Sequence, residues 1–375
     1  MSAAPPDEVA PADPAEVPAE EPVAQAGGAI PRAVAVVGFL AAAVVVAAGI
    51  AAAAWLVTPV FLGLVIVVMV YPLHARMLRA GWPGWLAVTV LVIAVYAVVL
   101  VFAGVVVLSL ARLATALPGY VGEANALLRS LLSVLAELGV GAEELRVLAS
   151  AMDAGKLVGI VGGVLQGITS LAANLVFLLS LLLFLGIEAT GARARLQVIA
   201  ASRPGVAAAL VDFAGGTRRF LAVTTVIGLV TGAVDTVFLW GVGVPLAPLW
   251  GLLVFVTNYI PYVGFWIGAI PPVLLALLVG GWGTALLVVA VFLVVNFVLT
   301  SVVQPKFVGD AVGLSVSVTL VALVFWAWLL GPLGAVLAVP LTLLVKVLLV
   351  DADPRARWAD ALVGTTPRPI SPGSG

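Results

Sequence analysis

Apolar residues run through this chain in long, nearly unbroken stretches. The first starts after Arg32 and continues to Val57, where Thr58-Pro59 interrupts it, and a second reaches Tyr71-Pro72. Proline cannot donate the helical hydrogen bond, so a turn is expected there. His74, Arg76 and Arg79 follow, then Gly81-Trp82-Pro83-Gly84-Trp85, whose tryptophan pair suits the headgroup level of a bilayer. Further apolar runs cover residues 86–110, 168–187 and 220–240. These lengths match the roughly 20 residues that a helix needs to cross hydrocarbon. Residues 111–165 differ. Charges recur there, and Leu117, Val121, Ala124, Leu128, Leu131, Leu135 and Leu138 return at helical spacing, which predicts an amphipathic helix outside the hydrocarbon.

The distal half changes pattern again. Leu249–Ile260 makes only about 18 Å of helix at 1.5 Å per residue, too short for roughly 30 Å of hydrocarbon. Pro261-Tyr262-Val263-Gly264 breaks it and residues 265–279 continue beyond, which predicts a re-entrant helical hairpin. Residues 282–303 are long enough to span. A second hairpin is expected from residues 312–330, the break Gly331-Pro332-Leu333-Gly334, and residues 335–349.

Composition turns this pattern into a fold class. Of 375 residues, 63% are hydrophobic and 9% charged, against about 25% charged in soluble domains. Too few charges are available to cover a water-soluble surface. The expected fold is an all-α polytopic membrane protein, with about six membrane-spanning helices, two re-entrant helical hairpins and a small helical extramembrane insert.

Charge then sets the topology. Residues 1–29 carry six acids and no base, leaving 17 basic against 12 acidic groups elsewhere. This Ala/Pro-rich acidic segment reads as a disordered cytoplasmic tail. Arg193, Arg195, Arg203, Arg218 and Arg219 mark the loop after the fourth span as cytoplasmic. Both termini are then cytoplasmic and the insert lies outside. The domains expected are the tail (1–29), three spans (30–110), the extracytoplasmic insert (111–165), a transport domain with the hairpins (166–350) and a C-terminal tail (351–375).

Broken helices at membrane depth are tolerated where protein or water satisfies the freed backbone groups, and a pair of them points to a transport site. The polar residues beside these breaks are Thr257, Asn258, Asn296, Gln304 and Asp310. Asp235, inside the fifth span, is a candidate for ion or proton coupling, because a carboxylate is costly there; a structural pairing is the alternative. Lys306 and Asp310 are four apart, but Pro305 and Gly309 disfavour a regular helix, so a loop-held pair is expected, either gating or anchoring at the interface. His74 is placed at the cytoplasmic interface. With no cysteine, one histidine and no Walker loop, neither an enzyme nor ATP-driven transport by this chain is expected, and no cofactor or nucleic-acid partner.

Three segments carry a resemblance. Residues 258–272 (NYIPYVGFWIGAIPP), 304–314 (QPKFVGDAVGL) and 331–340 (GPLGAVLAVP) look like the signature blocks of the autoinducer-2 exporter family, the PerM-like permeases, in the family's order and spacing. The resemblance runs from roughly residue 32 to 350. Two departures stand out. Ser315-Val316-Ser317 occupies the place of a usual proline, and Trp326-Ala327 that of a common Gly-Gly, so the shape of the second hairpin differs from the family pattern. The resemblance implies a bacterial inner-membrane homo-oligomer, a pentamer, with an elevator-like movement of a hairpin-bearing domain. The candidates for substrate binding or gating are Asn258, Pro261, Gly264, Gly268, Pro271, Asn296, Gln304, Pro305, Lys306, Gly309, Asp310, Gly331, Gly334 and Pro340. The expected function is a secondary permease of a small polar organic solute such as autoinducer-2. The alternatives are a sodium/proton antiporter, with Asp235 and Asp310 coupling, and a non-transporting membrane scaffold.

Overall fold

The computed structural model describes residues 32–141, 143–144, 147, 174–303 and 314–351. The acidic tail, residues 148–165 of the insert, the segment with Gln304, Pro305, Lys306, Gly309 and Asp310, and the C-terminal tail from 352 lie outside the described residues. Every regular element among the described residues is helical.

The chain divides into two units, Met1–Ala48 and Gly49–Gly375. The first contains most of α1 (Arg32–Ala52), an apolar helix whose described side chains are largely exposed. The second begins with α2 (Ala54–Arg79) and α3 (Gly84–Ala116), then the amphipathic α4 (Val121–Glu137), as the spacing of its leucines predicts. There follow α5 (residues 174–188), α6 (Ala192–Ser202) and α7 (Pro204–Gly241). The distal part holds α8 (Ala247–Thr257), α9 (Gly264–Phe297), α10 (Val316–Leu330), α11 (Pro332–Val336) and α12 (Ala338–Lys346). Five helical stretches among the described residues are long and apolar enough to cross a membrane: Ala54–Arg79, Gly84–Glu123, Asn174–Ser202, Pro204–Gly241 and Gly264–Val302. The chain is a multi-pass α-helical membrane protein. α7 is the most buried of the five, and α2, α8 and α12 all pack against it.

Two expectations fail locally. No turn forms at Thr58-Pro59 or Tyr71-Pro72; α2 runs through both prolines and the chain breaks instead at Ala53. Each proline costs one ladder bond, whereas a turn in hydrocarbon would strand several backbone groups, so the helix continues. The arginine-bearing segment 192–219 is not a loop but α6 and the first turns of α7, with Pro204 in the first turn of α7, where its missing N–H costs nothing.

The two Gly/Pro breaks differ in construction. In the first, α8 and the start of α9 fold back on one another, with Gly268 against Val254 and Thr257. Tyr262 adopts φ 64° in the connection. α9 itself is divided at Gly281 (φ 70°, ψ −171°), which separates the returning arm from a second helical stretch. In the second break one residue does the work: Gly331 (φ 73°, ψ −157°) reverses α10 directly into α11. These conformations are nearly the same, and both are open to glycine and closed to most residues.

At both hinges the residue before the glycine meets the residue three after it. A Cβ on Gly280 would lie 2.6 Å from the Thr284 Cβ, and one on Gly334 would lie 2.7 Å from the Leu330 Cβ. At the first hinge one member of the pair must therefore lack a side chain; at the second, Gly334 is held to glycine by the Trp326 carbonyl as well as by Leu330. The first hinge places glycine before the turn and the second places it after. Ser315 caps α10 by accepting from the Val318 N–H at 3.3 Å.

Candidate functional site

α7 buries one face along its length: Thr217, Leu221, Thr224, Ile227, Gly228, Thr231, Gly232, Asp235 and Leu239. These positions recur every three or four residues, the period of one helix face. Two of them are glycines, and they set the distance to α8. A Cβ on Gly232 would come within 2.5 Å of the Gly251 carbonyl oxygen, and one on Gly251 would collide with Thr236 and the Gly232 carbonyl. Backbone thus touches backbone, the contact that small residues permit between membrane helices.

Close approach brings the end of α8 onto α7 as well. The Asn258 Nδ2 donates to the Thr224 carbonyl at 3.1 Å. Thr225 gives its one proton to the Leu221 carbonyl, so across the 2.6 Å contact between their hydroxyls Tyr259 is the donor. Phe255 packs edge-on against Tyr259 and also against Phe102 of α3.

Where α7, α8 and both parts of α9 meet, Thr231, Asp235, Val254, Thr257, Asn258, Phe265, Phe292 and Asn296 line a cavity of about 10 Å³, room for about one water molecule. Asp235 is 2% exposed, and its Oδ1 has no hydrogen-bond partner among the described residues. Thr231 and Thr257 donate to the carbonyls one turn back, of Ile227 and Val254, which leaves their oxygen lone pairs free. The set offers a carboxylate, two hydroxyl oxygens and two amides. In this conformation it can hold a water molecule or balance the charge of a small cation, and its polar groups could meet a larger solute only once the arms around it separate.

Of the residues singled out from the sequence, Asp235, Asn258, Asn296 and Thr257 come together here. Pro261 lies in the α8–α9 connection and Pro271 within α9. Gly264 and Gly268 are spacers, their faces closed against α8. Gly331, Gly334 and Pro340 belong to the second break and do not line the cavity: Gly331 is the hinge, Gly334 sits on the Trp326 carbonyl, and Pro340 is fully buried. That second pair of arms is tied by Trp326 Nε1, which donates to the Thr342 hydroxyl at 3.0 Å. His74 is buried beside Tyr71. Thr224, Thr225 and Thr231 went unnoticed in the sequence. The signal was there: Thr217, Thr224 and Thr231 repeat every seven residues and lead to Asp235.

Comparison with known proteins agrees with this architecture. Residues 40–352 match the model of the AI-2E family transporter. The AI-2 transport protein TqsA of Escherichia coli K12 is 32% identical over 306 residues, which cover 82% of this chain and 89% of that protein. YhhT of the same strain is 30% identical over 335 residues, covering 89% and 95%. A relative from Haemophilus influenzae is 28% identical over 325 residues, covering 85% and 93%. With the helical membrane fold, the broken helices and a match over most of the chain, this protein belongs to the AI-2E transporter family.

Proposed function

We propose that this chain is a secondary transporter that moves a small polar organic solute across the bacterial inner membrane by alternating access. One observation carries the reading: Asp235, Asn258, Asn296, Thr231 and Thr257 converge on one buried cavity where the α8–α9 break meets α7. The glycine crossing of α7 and α8 supports the reading, because it brings the broken end of α8, with Asn258 and Tyr259, directly onto the Asp235 face of α7. In this proposal α8 with the start of α9, and α10 with α11 and α12, are re-entrant hairpins that travel together as an elevator. Both termini are cytoplasmic, as the arginines of α6 and α7 favour. The working form is a homo-oligomer, a pentamer. Since TqsA is named for AI-2 transport, autoinducer-2 is the first solute to test.

A second reading, sodium/proton antiport, is favoured by the unpartnered Oδ1 of Asp235. Purified protein in liposomes separates the two under an imposed pH gradient. Autoinducer-2 flux without sodium-linked proton movement is the result expected for the permease. Proton movement that depends on sodium selects the antiporter, and the absence of both overturns transport and leaves a scaffold.

A further inference from the structure

The cavity at Asp235 is one end of a longer polar seam. Thr217, Thr224, Thr231 and Asp235 follow on α7 at intervals of seven, seven and four. The seam is roughly 27 Å long at 1.5 Å per residue, close to the hydrocarbon thickness of about 30 Å. All four side chains are buried, with Thr217 at 0% exposure. Polar atoms at both ends have no partner among the described residues: Thr217 Oγ1 and Asp235 Oδ1.

Thr217 is the less expected of the two. A helical threonine ordinarily satisfies itself on the carbonyl one turn back, as Thr225, Thr231 and Thr236 do on this same helix. Thr217 does not, although leaving a buried hydroxyl unpaired costs about 1–3 kcal/mol. It lies beside Arg218 and Arg219, at the opposite end of the seam from Asp235.

We propose that the Thr217–Thr224–Thr231–Asp235 face of α7 is the path by which solute and water reach the Asp235 cavity from the arginine-bearing end of the helix, with Thr217 as its first polar station. The path is closed in this conformation and opens when the arms packed on α7 separate. Arg218 and Arg219 stand at its mouth, and beyond them only hydroxyls and one carboxylate line it, so its inner part favours neutral hydroxylated solutes and cations over anions. The inference rests on the transporter reading of the Asp235 cavity.

The absence of cysteine makes the path testable, because one introduced cysteine is then the sole thiol in the chain. The full chain carrying T217C, T224C or T231C is reconstituted in liposomes with a small, water-soluble cationic thiol reagent on both faces. V226C and V230C, on the exposed side of α7, serve as controls. The seam cysteines are expected to react at least about tenfold faster than the controls, since a thiol reacts as thiolate and ionises only where water reaches it. An anionic reagent of the same size is expected to lag at T231C, about 18 Å along the helix from Arg219. Seam cysteines no faster than the controls overturn the path. If a cysteine variant does not reconstitute, T217V is compared with T217S for proton, sodium and autoinducer-2 flux; a loss confined to T217V supports the path, and equal flux overturns it. Fast labelling in a protein that moves none of these three solutes overturns the transport reading while the path stands. Flux through a protein with an unreactive seam does the reverse.

Discussion

Two regions of this molecule pack helix against helix in contrasting ways, the α7–α8 contact and the group of α2, α3 and α5. Against α8, α7 offers Gly232, which meets the Gly251 backbone, and Gly228, which receives Phe255 and Asn258, with hydroxyls and amides around them. The packing of α2, α3 and α5 is leucine-rich instead. Gly63 of α2 receives Leu181 and Leu185 of α5, and Gly186 receives Val92 of α3. Between those helices lies a groove of about 50 Å³ lined by Val70, Val88, Leu91 and Val95, with His74 among its walls. Tyr96 donates there to the Leu179 carbonyl. Interlocked leucines fix a position, because sliding would have to unseat each side chain. The glycine crossing is held differently, by backbone contact, by the short Thr236 side chain on Gly251 and by the Asn258 and Tyr259 hydrogen bonds. In the proposed mechanism α2, α3 and α5 are the static part and the α7–α8 contact is the moving interface.

The largest expected effect comes from giving that crossing a side chain. Gly251→Leu, or Gly232→Leu, should abolish flux and lower thermal stability by about 3 kcal/mol, the upper range for overpacking. Gly104→Ala in α3, where a Cβ meets nothing within 4 Å, should leave both unchanged. Thermal unfolding in detergent beside liposome flux checks the pair; equal tolerance at the two sites would erase the distinction between the regions.

Next come the hinges. Gly280→Ala and Gly334→Ala should each destabilise by about 1–3 kcal/mol, because each Cβ meets another at 2.6–2.7 Å. Adding Thr284→Gly to Gly280→Ala moves the missing side chain to the other partner and should restore most of the loss. A double-mutant cycle with no coupling would refute the paired-glycine account.

Asp235→Asn keeps the shape of the cavity and removes its charge. Flux should fall at least about tenfold, roughly 1.4 kcal/mol on the transport barrier, with the unfolding temperature little changed. Unaltered dependence of flux on sodium and pH in this variant would exclude a coupling role. The smallest effect is expected for Tyr259→Phe, which removes one interhelical hydrogen bond and should cost about 0.6 kcal/mol. Tyr96→Phe in the static region should cost about the same. Similar losses of stability, with flux reduced only by Tyr259→Phe, would show that the two regions differ in motion rather than in bond strength.

Much of this was legible beforehand, and for definable reasons. The spans follow from run length, since hydrocarbon thickness fixes how many residues a helix needs. The breaks at Pro261–Gly264 and at Gly331 follow from residues that interrupt a helix or permit positive φ. Asp235 and Asn258 stood out because polar groups are rare in such runs. The prolines of α2 misled, because a local rule for helix interruption yields to the cost of stranding backbone groups in lipid. The arginines of α6 and α7 misled in another way: charge reports where water is, and a helix can continue into water.

Sequence alone thus determined which stretches are long and apolar enough to enter the bilayer and where the distal helices break at Pro261–Gly264 and Gly331, these being properties of residues taken along the chain. Tertiary structure decided which faces meet. Asp235 and Asn296 are sixty-one residues apart, and they share a cavity because Gly232 and Gly251 let α7 and α8 close to backbone contact. The Thr217 seam likewise acquires meaning only from what packs against it. The sequence places Thr217 and Thr231 on one helix; only the packing shows that both are buried, Thr231 bonded to its own backbone and Thr217 without a partner among the described residues.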